Sequence, residues 1–169
     1  MSIARSMMAE FDQEMANTRV MLSRVPEDKL DWRPHEKSMT FAGLATHTAN
    51  IPAWAAMIVE DENVDVAPEG ETPLRMTAAT SVKELLEGFD ETVAKARMLI
   101  GGASDERLLG KWTLLTGGRT IFSLPRVGVL RTMVMNHMIH HRAQLGVYLR
   151  LNDLPVPGMY GPSADEVAE

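Results

Sequence analysis

Cysteine is absent from this chain of 169 residues. Its absence excludes disulfide bonds, a thiolate nucleophile and thiolate metal ligands at the same time. A chain without cysteine is typical of a reducing compartment, so we expect a cytoplasmic protein.

Basic residues are also scarce, since 17 Lys and Arg stand against 23 Asp and Glu, for a formal charge of −6. A nucleic-acid-binding surface needs a basic face, and an anionic membrane surface attracts runs of Lys and Arg. Glu10 and Asp12 interrupt the apolar N-terminal segment, so we expect no secretory signal. The uncharged stretch 38–59 contains Asn50 and Pro52, which favours a buried helix over a membrane span. We therefore expect neither a nucleic acid nor a membrane as partner.

Aromatic residues make up only 5% of the chain, whereas methionine occurs 13 times. Long unbranched side chains such as methionine suit helices and fill irregular gaps between them. A length of 169 residues suffices for one compact domain and is short for two. The composition therefore predicts a single helical domain over residues 1–169.

Apolar residues recur at steps of three and four in four segments, which predicts four amphipathic helices. Ser38 or Thr40 can cap the second helix, and Pro52 is expected to kink it or to leave one carbonyl unpaired. Ser81 begins the third helix, with Glu84 three residues later in the capping-box arrangement. The predicted helices cover about residues 3–24, 40–58, 81–100 and 125–151.

Two short β-prone runs, residues 111–115 and 119–122, flank Thr116-Gly117-Gly118 and predict a small hairpin. Residues 61–73 are acidic and contain proline and glycine, so we predict a loop there. Its acidic part, residues 61–71, is either solvated surface or a gate over a site. The whole pattern predicts an all-α fold, a four-helix bundle with a small hairpin or extended segment before the last helix.

Three of the five histidines take inward positions on the predicted helices. His47 lies in the apolar stripe of the second helix. On the fourth helix His141 lies about 40° from His137 within the apolar face, whereas His140 lies about 60° to the other side. One cation would satisfy all three inward lone pairs, while three separate buried partners would be costly. Spacing alone leaves open that they are ordinary core histidines, each with its own hydrogen bond.

The last predicted helix carries a distinctive run, residues 136–145, which read Asn-His-Met-Ile-His-His-Arg-Ala-Gln-Leu. Together with Leu-Asp-Trp-Arg-Pro at 30–34 and Pro-Val-Pro-Gly-Met-Tyr-Gly at 155–161, it resembles the DinB/YfiT-like family. The resemblance spans nearly the whole chain and is sharp in these three places. It implies a four-helix bundle that holds a metal ion through His47, His137 and His141. It also implies that His140 neighbours the site without binding the ion, and His35 lies in a loop.

Further polar and aromatic residues are weaker candidates for the site. Gln144, Arg142 and Asn136 are candidate helpers that orient a ligand histidine or meet a substrate, or they form an ordinary polar flank. Trp112 and Trp32 either line a pocket or fill the core.

Three neutral imidazoles suit zinc or nickel best, and also iron or copper, and they disfavour calcium and magnesium. Three protein ligands leave one position for water or substrate, which is typical of catalytic zinc. The resemblance implies a metal-dependent enzyme that acts on a small molecule, either a thiol S-transferase using a low-molecular-weight thiol or a related hydrolase. The alternative is a stress-associated metal-binding protein without turnover. The resemblance and the methionine-rich surface also lead us to expect a homodimer.

Overall fold

Helices make up most of the protein, and a small sheet lies beside them. The computed structural model describes residues 2–70 and 77–166. The helices are α1 (Ile3–Leu22), α2 (Phe41–Asn50), α3 (Trp54–Glu60), α4 (Val82–Gly102), α5 (Asp105–Leu109), α6 (Arg126–Val129) and α7 (His137–Leu151). The strands are β1 (Asn63–Asp65), β2 (Lys111–Thr116) and β3 (Arg119–Pro125). Two short 3₁₀ turns, Glu27–Lys29 and Ile51–Ala53, and a π-helical segment, Leu130–Asn136, complete the elements.

Side-chain caps begin the long helices where the sequence predicts them. The Thr40 hydroxyl accepts a hydrogen bond from the Gly43 N–H at 3.1 Å, and α2 follows. The Ser81 hydroxyl accepts from the Glu84 N–H at 3.1 Å, and α4 follows. Each cap satisfies one of the N–H groups that a helix start leaves without an intrahelical partner.

The second predicted helix is divided in two by Pro52. Because proline has no N–H to donate, the α-helical ladder stops at Asn50 and resumes at Trp54 after the 3₁₀ turn. The α-helix is therefore interrupted at the proline where the sequence predicts a kink or an unpaired carbonyl.

The last predicted helix runs without a gap from Arg126 to Leu151, but its middle is not α-helical. The His137 N–H bonds the Thr132 carbonyl, five residues back, as well as the Val134 carbonyl. The expectation of uniform α-helical steps before His137 is wrong, because a π-turn adds a residue to the turn. Within α7 the α-helical spacing of His137 and His141 holds.

A three-stranded sheet, in the order β1-β2-β3, corrects the all-α prediction. The predicted hairpin is confirmed: β2 and β3 pair antiparallel, and Gly117 and Gly118 take the positive φ angles of 54° and 73° that its turn requires. β1 pairs parallel to β2 inside the segment predicted as a loop, so that prediction is wrong for residues 63–65. Residues 61–62 and 66–70 contain no helix or strand, as predicted, and residues 71–73 lie outside the described residues. The described residues also form more than four helices, because Pro52 and the π-helical segment divide two of the predicted helices and because α5 is an additional short helix.

The core lies where α1, α2, α4 and α7 pack against one another. Its largest side chains are less than 2% exposed and are mostly aromatic and branched aliphatic, among them Phe11, Phe41, Phe89, Leu22, Leu44 and Ile100. Polar side chains are buried with them at α1 and α7, namely Glu14, Thr18 and Arg142. In the described ranges, each helix is too short or too polar to span a bilayer.

Candidate metal centre

Three imidazoles from two distant parts of the chain meet between α2 and α7. The Nε2 atom of His137 lies 3.4 Å from that of His47 and 2.9 Å from that of His141. One ring nitrogen from each of the three residues falls within 4.8 Å of the others. All three side chains are half-buried. The structure thus brings together the three residues that the sequence singles out.

The other two histidines do not belong to this group. His140 is exposed on α7, and its ring centroid lies 4.9 Å from that of His141. Its Nε2 atom is 3.1 Å from Nε2 of Gln144. His35 is exposed in the loop before α2, where its Nδ1 atom accepts a hydrogen bond from the Lys37 N–H at 3.1 Å. His140 is therefore a neighbour of the cluster, whereas His35 forms its hydrogen bond with Lys37 in the loop.

Gln144 orients His141. Its carboxamide oxygen lies 2.7 Å from Nδ1 of His141, one turn earlier on the same helix. A carboxamide oxygen only accepts hydrogen bonds, so the His141 Nδ1 carries the proton and its Nε2 presents a lone pair to the cluster. The Gln144 amide then donates to Nε2 of His140. Such a bond behind a ligand imidazole fixes both its tautomer and its ring plane.

His137 stands at the centre of the cluster with an incomplete set of hydrogen bonds. Its Nδ1 atom is buried and has no hydrogen-bond partner of acceptable geometry in the described part of the chain. The nearby Met133 carbonyl nevertheless raises the pKa of His137, which opposes the effect of burial. The π-turn directs the His137 N–H to the Thr132 carbonyl instead of the Met133 carbonyl. The Met133 carbonyl is thereby left facing the imidazole of its own helix.

The protons available cannot satisfy all three rings. If the His137 Nε2 carries a proton, it can donate that proton to the lone pair of His141 or to that of His47. The Nδ1 atom of His137 then keeps a buried lone pair that receives no hydrogen bond from the described residues. If Nδ1 carries the proton instead, it faces the Met133 carbonyl, and the Nε2 lone pairs of His137 and His141 oppose each other. A cation among the Nε2 atoms resolves the second arrangement.

The environment keeps the three rings neutral. Burial, together with the neighbouring His141 and His137, lowers the pKa of His47 to about 4. Burial is also the main cause that lowers the pKa of His137 and that of His141. At neutral pH each imidazole is therefore uncharged, with a proton on one nitrogen and a lone pair on the other that is available to a metal ion.

The spacing of the nitrogens fits a small tetrahedral ion. Metal–nitrogen bonds of about 2.0–2.1 Å in tetrahedral geometry place neighbouring ligand nitrogens about 3.3 Å apart. The 3.4 Å between His47 and His137 agrees with this spacing, and the 2.9 Å between His137 and His141 requires a small opening. A set of three neutral nitrogens suits zinc, nickel, iron or copper and leaves a coordination position open.

Trp54 lies at the cluster, although it is not among the site residues predicted from the sequence. Its ring centroid is 5.2 Å from that of His137 and 6.0 Å from that of His47. The signal available in the sequence was its position seven residues after His47, which is two helical turns along one face. The two tryptophans that are predicted as candidates, Trp112 and Trp32, have other contacts. The Trp112 N–H donates to the Met57 carbonyl at 3.1 Å. Trp32 packs on Tyr148 with ring centroids 5.4 Å apart.

In the described part of the chain, the side chains of Arg142 and Asn136 form no hydrogen bond with the three histidines. The Arg142 guanidinium is 2% exposed and turns toward α1, where it pairs with the Glu14 carboxylate at 2.7 Å. It also donates to the Thr18 hydroxyl at 3.2 Å. Asn136 is exposed on the π-helical segment. Of the three candidate helpers, the structure brings only Gln144 to the cluster.

The acidic segment after α3 makes structural contacts. Glu62 pairs with Arg107 and with Arg126 at 3.0 Å, beside a cavity of about 420 Å³ between α5 and β2. The Asp65 carboxylate accepts hydrogen bonds from the Gly117 and Gly118 N–H groups at 3.0 and 2.7 Å. These bonds, with one from Ala67, hold the pKa of Asp65 below its usual range. Both carboxylates thus attach this segment to the sheet and to α5.

A sequence model of the DinB family matches residues 1–169. An uncharacterised protein of Bacillus subtilis strain 168, YrdA, is 25% identical over 158 residues, which cover 90% of this chain and 84% of YrdA.

Two crystal structures share the fold. A DinB-like protein from Bacillus cereus ATCC 10987 superposes with a TM-score of 0.68 at 23% identity, covering 94% of this chain and 98% of the other. The DinB-like protein YjoA from Bacillus subtilis superposes with a TM-score of 0.66 at 18% identity, covering 95% and 98%.

Proposed function

The chain belongs to the DinB family, and from this membership and the three converging imidazoles we propose that it binds one divalent transition-metal ion. His47, His137 and His141 are the proposed ligands. The observation that carries the proposal is the shortage of protons among their Nε2 atoms, with the His137 Nδ1 buried and unpartnered among the described residues. Zinc and nickel are the expected ions, followed by iron and copper.

The experiment is metal analysis of full-length protein purified without an affinity tag. We expect about one ion per chain in the wild type and most of it lost in each of His47→Ala, His137→Ala and His141→Ala. His140→Ala is the matched control, because His140 is a histidine on the same helix that lies outside the cluster. If His140→Ala empties the site while His141→Ala leaves it filled, the assignment of ligands is wrong.

We further propose that the site is catalytic. A bound divalent ion with three nitrogen ligands supplies a Lewis acid that lowers the pKa of water or of a thiol in its remaining position. The chain's own contribution is orientation: Gln144 holds the His141 ring, and the neutral imidazoles leave the positive charge of the ion largely uncompensated. Because the chain lacks cysteine, a thiol would have to be a low-molecular-weight cosubstrate. The candidate reactions are thiol S-transfer and a related hydrolysis.

A panel of thiols with electrophilic acceptors, and of esters and amides, tests turnover. We expect an acceleration by wild-type protein that disappears with a chelator and in His137→Ala. Trapping of the acceptor by surface groups would survive both treatments, so it is distinguished from metal-dependent chemistry.

One observation favours a second candidate, a metal-binding protein without turnover. Two cavities in the described part, of about 420 and 170 Å³, are lined by other residues and not by the three histidines. Neither cavity therefore serves as a substrate pocket for the cluster. Absence of metal-dependent turnover across the panel, with the ion still bound, would establish this candidate over the enzyme.

We also propose a homodimer. Val147 and Leu151 are 57% and 58% exposed, and they lie four residues apart on one face of α7. Exposed methionines such as Met98 add adaptable apolar surface. Light scattering at micromolar concentration is expected to give twice the chain mass of 18.7 kDa, and a value near that mass excludes the dimer.

A further inference from the structure

Trp54 has surroundings that differ from those of the other two tryptophans. It begins α3 directly after the turn at Pro52, and its side chain is partly buried against the core. Trp112 is 4% exposed with its N–H bonded to the Met57 carbonyl. Trp32 is partly buried as well, and it packs against Phe41 and Tyr148 in an aromatic group. Trp54 differs from both because the rings beside it are the imidazoles of His47 and His137.

Trp54 packs its ring against two imidazoles of the cluster. Its ring plane is inclined by 49° to that of His137 and by 68° to that of His47. The side chain is only partly buried. Trp54 therefore offers an apolar aromatic ring within contact distance of the histidine cluster.

The two sides of the cluster differ in chemistry. Trp54 lies against His47 and His137, and it offers a planar apolar surface. At His141 the neighbours are His140 and Gln144, which offer polar atoms. A ligand that enters the cluster therefore meets an aromatic wall on one side and hydrogen-bonding groups on the other.

We propose that Trp54 determines substrate specificity, by holding an aromatic or other planar apolar group next to the donor atom that enters the three-histidine site. The inference rests on the proposed metal site and deepens it by naming a substrate class. The class is small molecules in which a thiol or similar donor stands one or two bonds from such a group. Aromatic rings prefer centroid separations of about 4.5–7 Å. The 5.2 Å from Trp54 to His137 places its ring within one such distance of the cluster.

Cobalt-loaded full-length protein gives a test that does not depend on turnover. Co²⁺ in a nitrogen site has visible absorption that reports coordination, and a thiolate adds a charge-transfer band. Titration with phenylmethanethiol and with ethanethiol measures the affinity of each. We expect the wild type to prefer phenylmethanethiol by about threefold to tenfold more than the partition of the two thiols from water accounts for.

Substitution of Trp54 is expected to remove this preference. In Trp54→Leu the corrected ratio of the two affinities should fall to about one, while Co²⁺ affinity stays within about twofold of the wild type. Trp54→Phe keeps a smaller aromatic plane and should give an intermediate ratio, which also carries the test if the leucine variant does not fold. Trp32→Leu is the matched control, because it removes an indole from the aromatic group and should leave the ratio unchanged.

The outcomes separate the inference from the proposed function. A normal cobalt spectrum with equal corrected affinities in the wild type overturns the role of Trp54 and leaves the metal site standing. An unchanged ratio in both Trp54 variants does the same. Absence of a cobalt spectrum in the wild type overturns the metal site and, with it, the inference.

Discussion

Helix α7 carries two polar clusters, one at His141 and one at the next residue, Arg142. The hydrogen-bonding groups of the two clusters are satisfied to different degrees. Adjacent residues of an α-helix point about 100° apart, so one side chain faces α2 and the other faces α1. At Arg142 the guanidinium meets the Glu14 carboxylate, the Thr18 hydroxyl and the Tyr160 hydroxyl. At His141 the imidazole lies close to two other imidazoles. Three neutral rings carry too few protons to join all of these close nitrogen atoms by hydrogen bonds.

The Arg142 cluster is complete by itself. Arg142 is 2% exposed and Glu14 is 6% exposed, and the Tyr160 hydroxyl donates to the Glu14 carboxylate at 2.9 Å. Burial and this bond to Glu14 raise the pKa of Tyr160, so it remains a donor. The histidine cluster, by contrast, has a shortage of protons and an unpartnered Nδ1 at His137 in the described chain. A saturated buried cluster stabilises the fold, whereas an unsaturated one is suited to take up a ligand.

The largest effect is expected from Arg142→Ala. The substitution leaves the Glu14 carboxylate buried without its cation, which costs about 3–5 kcal/mol in the free energy of unfolding. Urea denaturation measures the change. Arg150→Ala is the matched control, because Arg150 pairs with Asp165 at the surface, where such a pair contributes about 0–1 kcal/mol. Equal losses in the two variants would contradict the contrast between the clusters.

A chelator is expected to change the stability of the fold only through the histidine cluster. An ion present at about 100 to 1,000 times its dissociation constant stabilises the folded state by about 2.7–4.1 kcal/mol. Its removal at pH 7.5 should therefore lower the melting temperature of the wild type. His137→Ala should melt at the same temperature with and without chelator. A wild-type melting temperature that does not respond to chelator would count against the metal site.

Gln144→Ala is expected to weaken metal binding by the histidine cluster. Loss of the bond to the His141 Nδ1 frees that ring to take the other tautomer and rotate, so metal affinity should fall by about tenfold to a hundredfold. Competition with a chromophoric chelator measures the affinity. Asn136→Ala, on an exposed position of the same continuous helix, should leave it unchanged. Equal affinities in wild type and Gln144→Ala would show that Gln144 has no orienting role.

An effect of pH is expected in the metal-free protein, and it is confined to acidic conditions. His47 has a pKa lowered from 6.5 to about 4, so between these values the unfolded chain binds a proton that the folded chain does not. The free energy of unfolding should therefore decrease as pH falls from about 6.5 to about 4, and stability is retained above that window. Urea denaturation at several pH values with chelator present measures the decrease, which should be smaller in His47→Phe. A wild-type profile as flat as that of His47→Phe would contradict the shift.

The same window applies to the metal-loaded protein. Protons compete with the ion for the imidazole nitrogens of the folded chain, so the stabilisation by metal should fade as pH falls toward the lowered pKa of His47, about 4. The difference in melting temperature with and without chelator follows this loss. A difference that persists unchanged below about pH 4 would contradict histidine ligation.

Much of the local structure could be predicted from the sequence, because it depends on neighbours along the chain. Thr40 and Ser81 cap their helices through bonds to residues three positions later. Pro52 interrupts the second helix because it lacks an N–H. Strand β1 could not be predicted, since its three residues pair with a strand about fifty positions later and show no pattern of their own. The π-turn before His137 was equally hidden, because its bonds follow from tertiary packing and not from residue preference.

For the candidate site, the sequence by itself determined that His137 and His141 share a face, because the α-helical period places residues four apart on one side. It also indicated the inward position of His47. Only the tertiary structure decided that the three Nε2 atoms converge, that Gln144 supports the cluster and that Trp54 lies beside it. The same holds for Arg142, which turns to α1 and away from the histidines. The helical period fixes directions around one axis, whereas contacts between helices depend on how distant segments pack, and no local pattern encodes that packing.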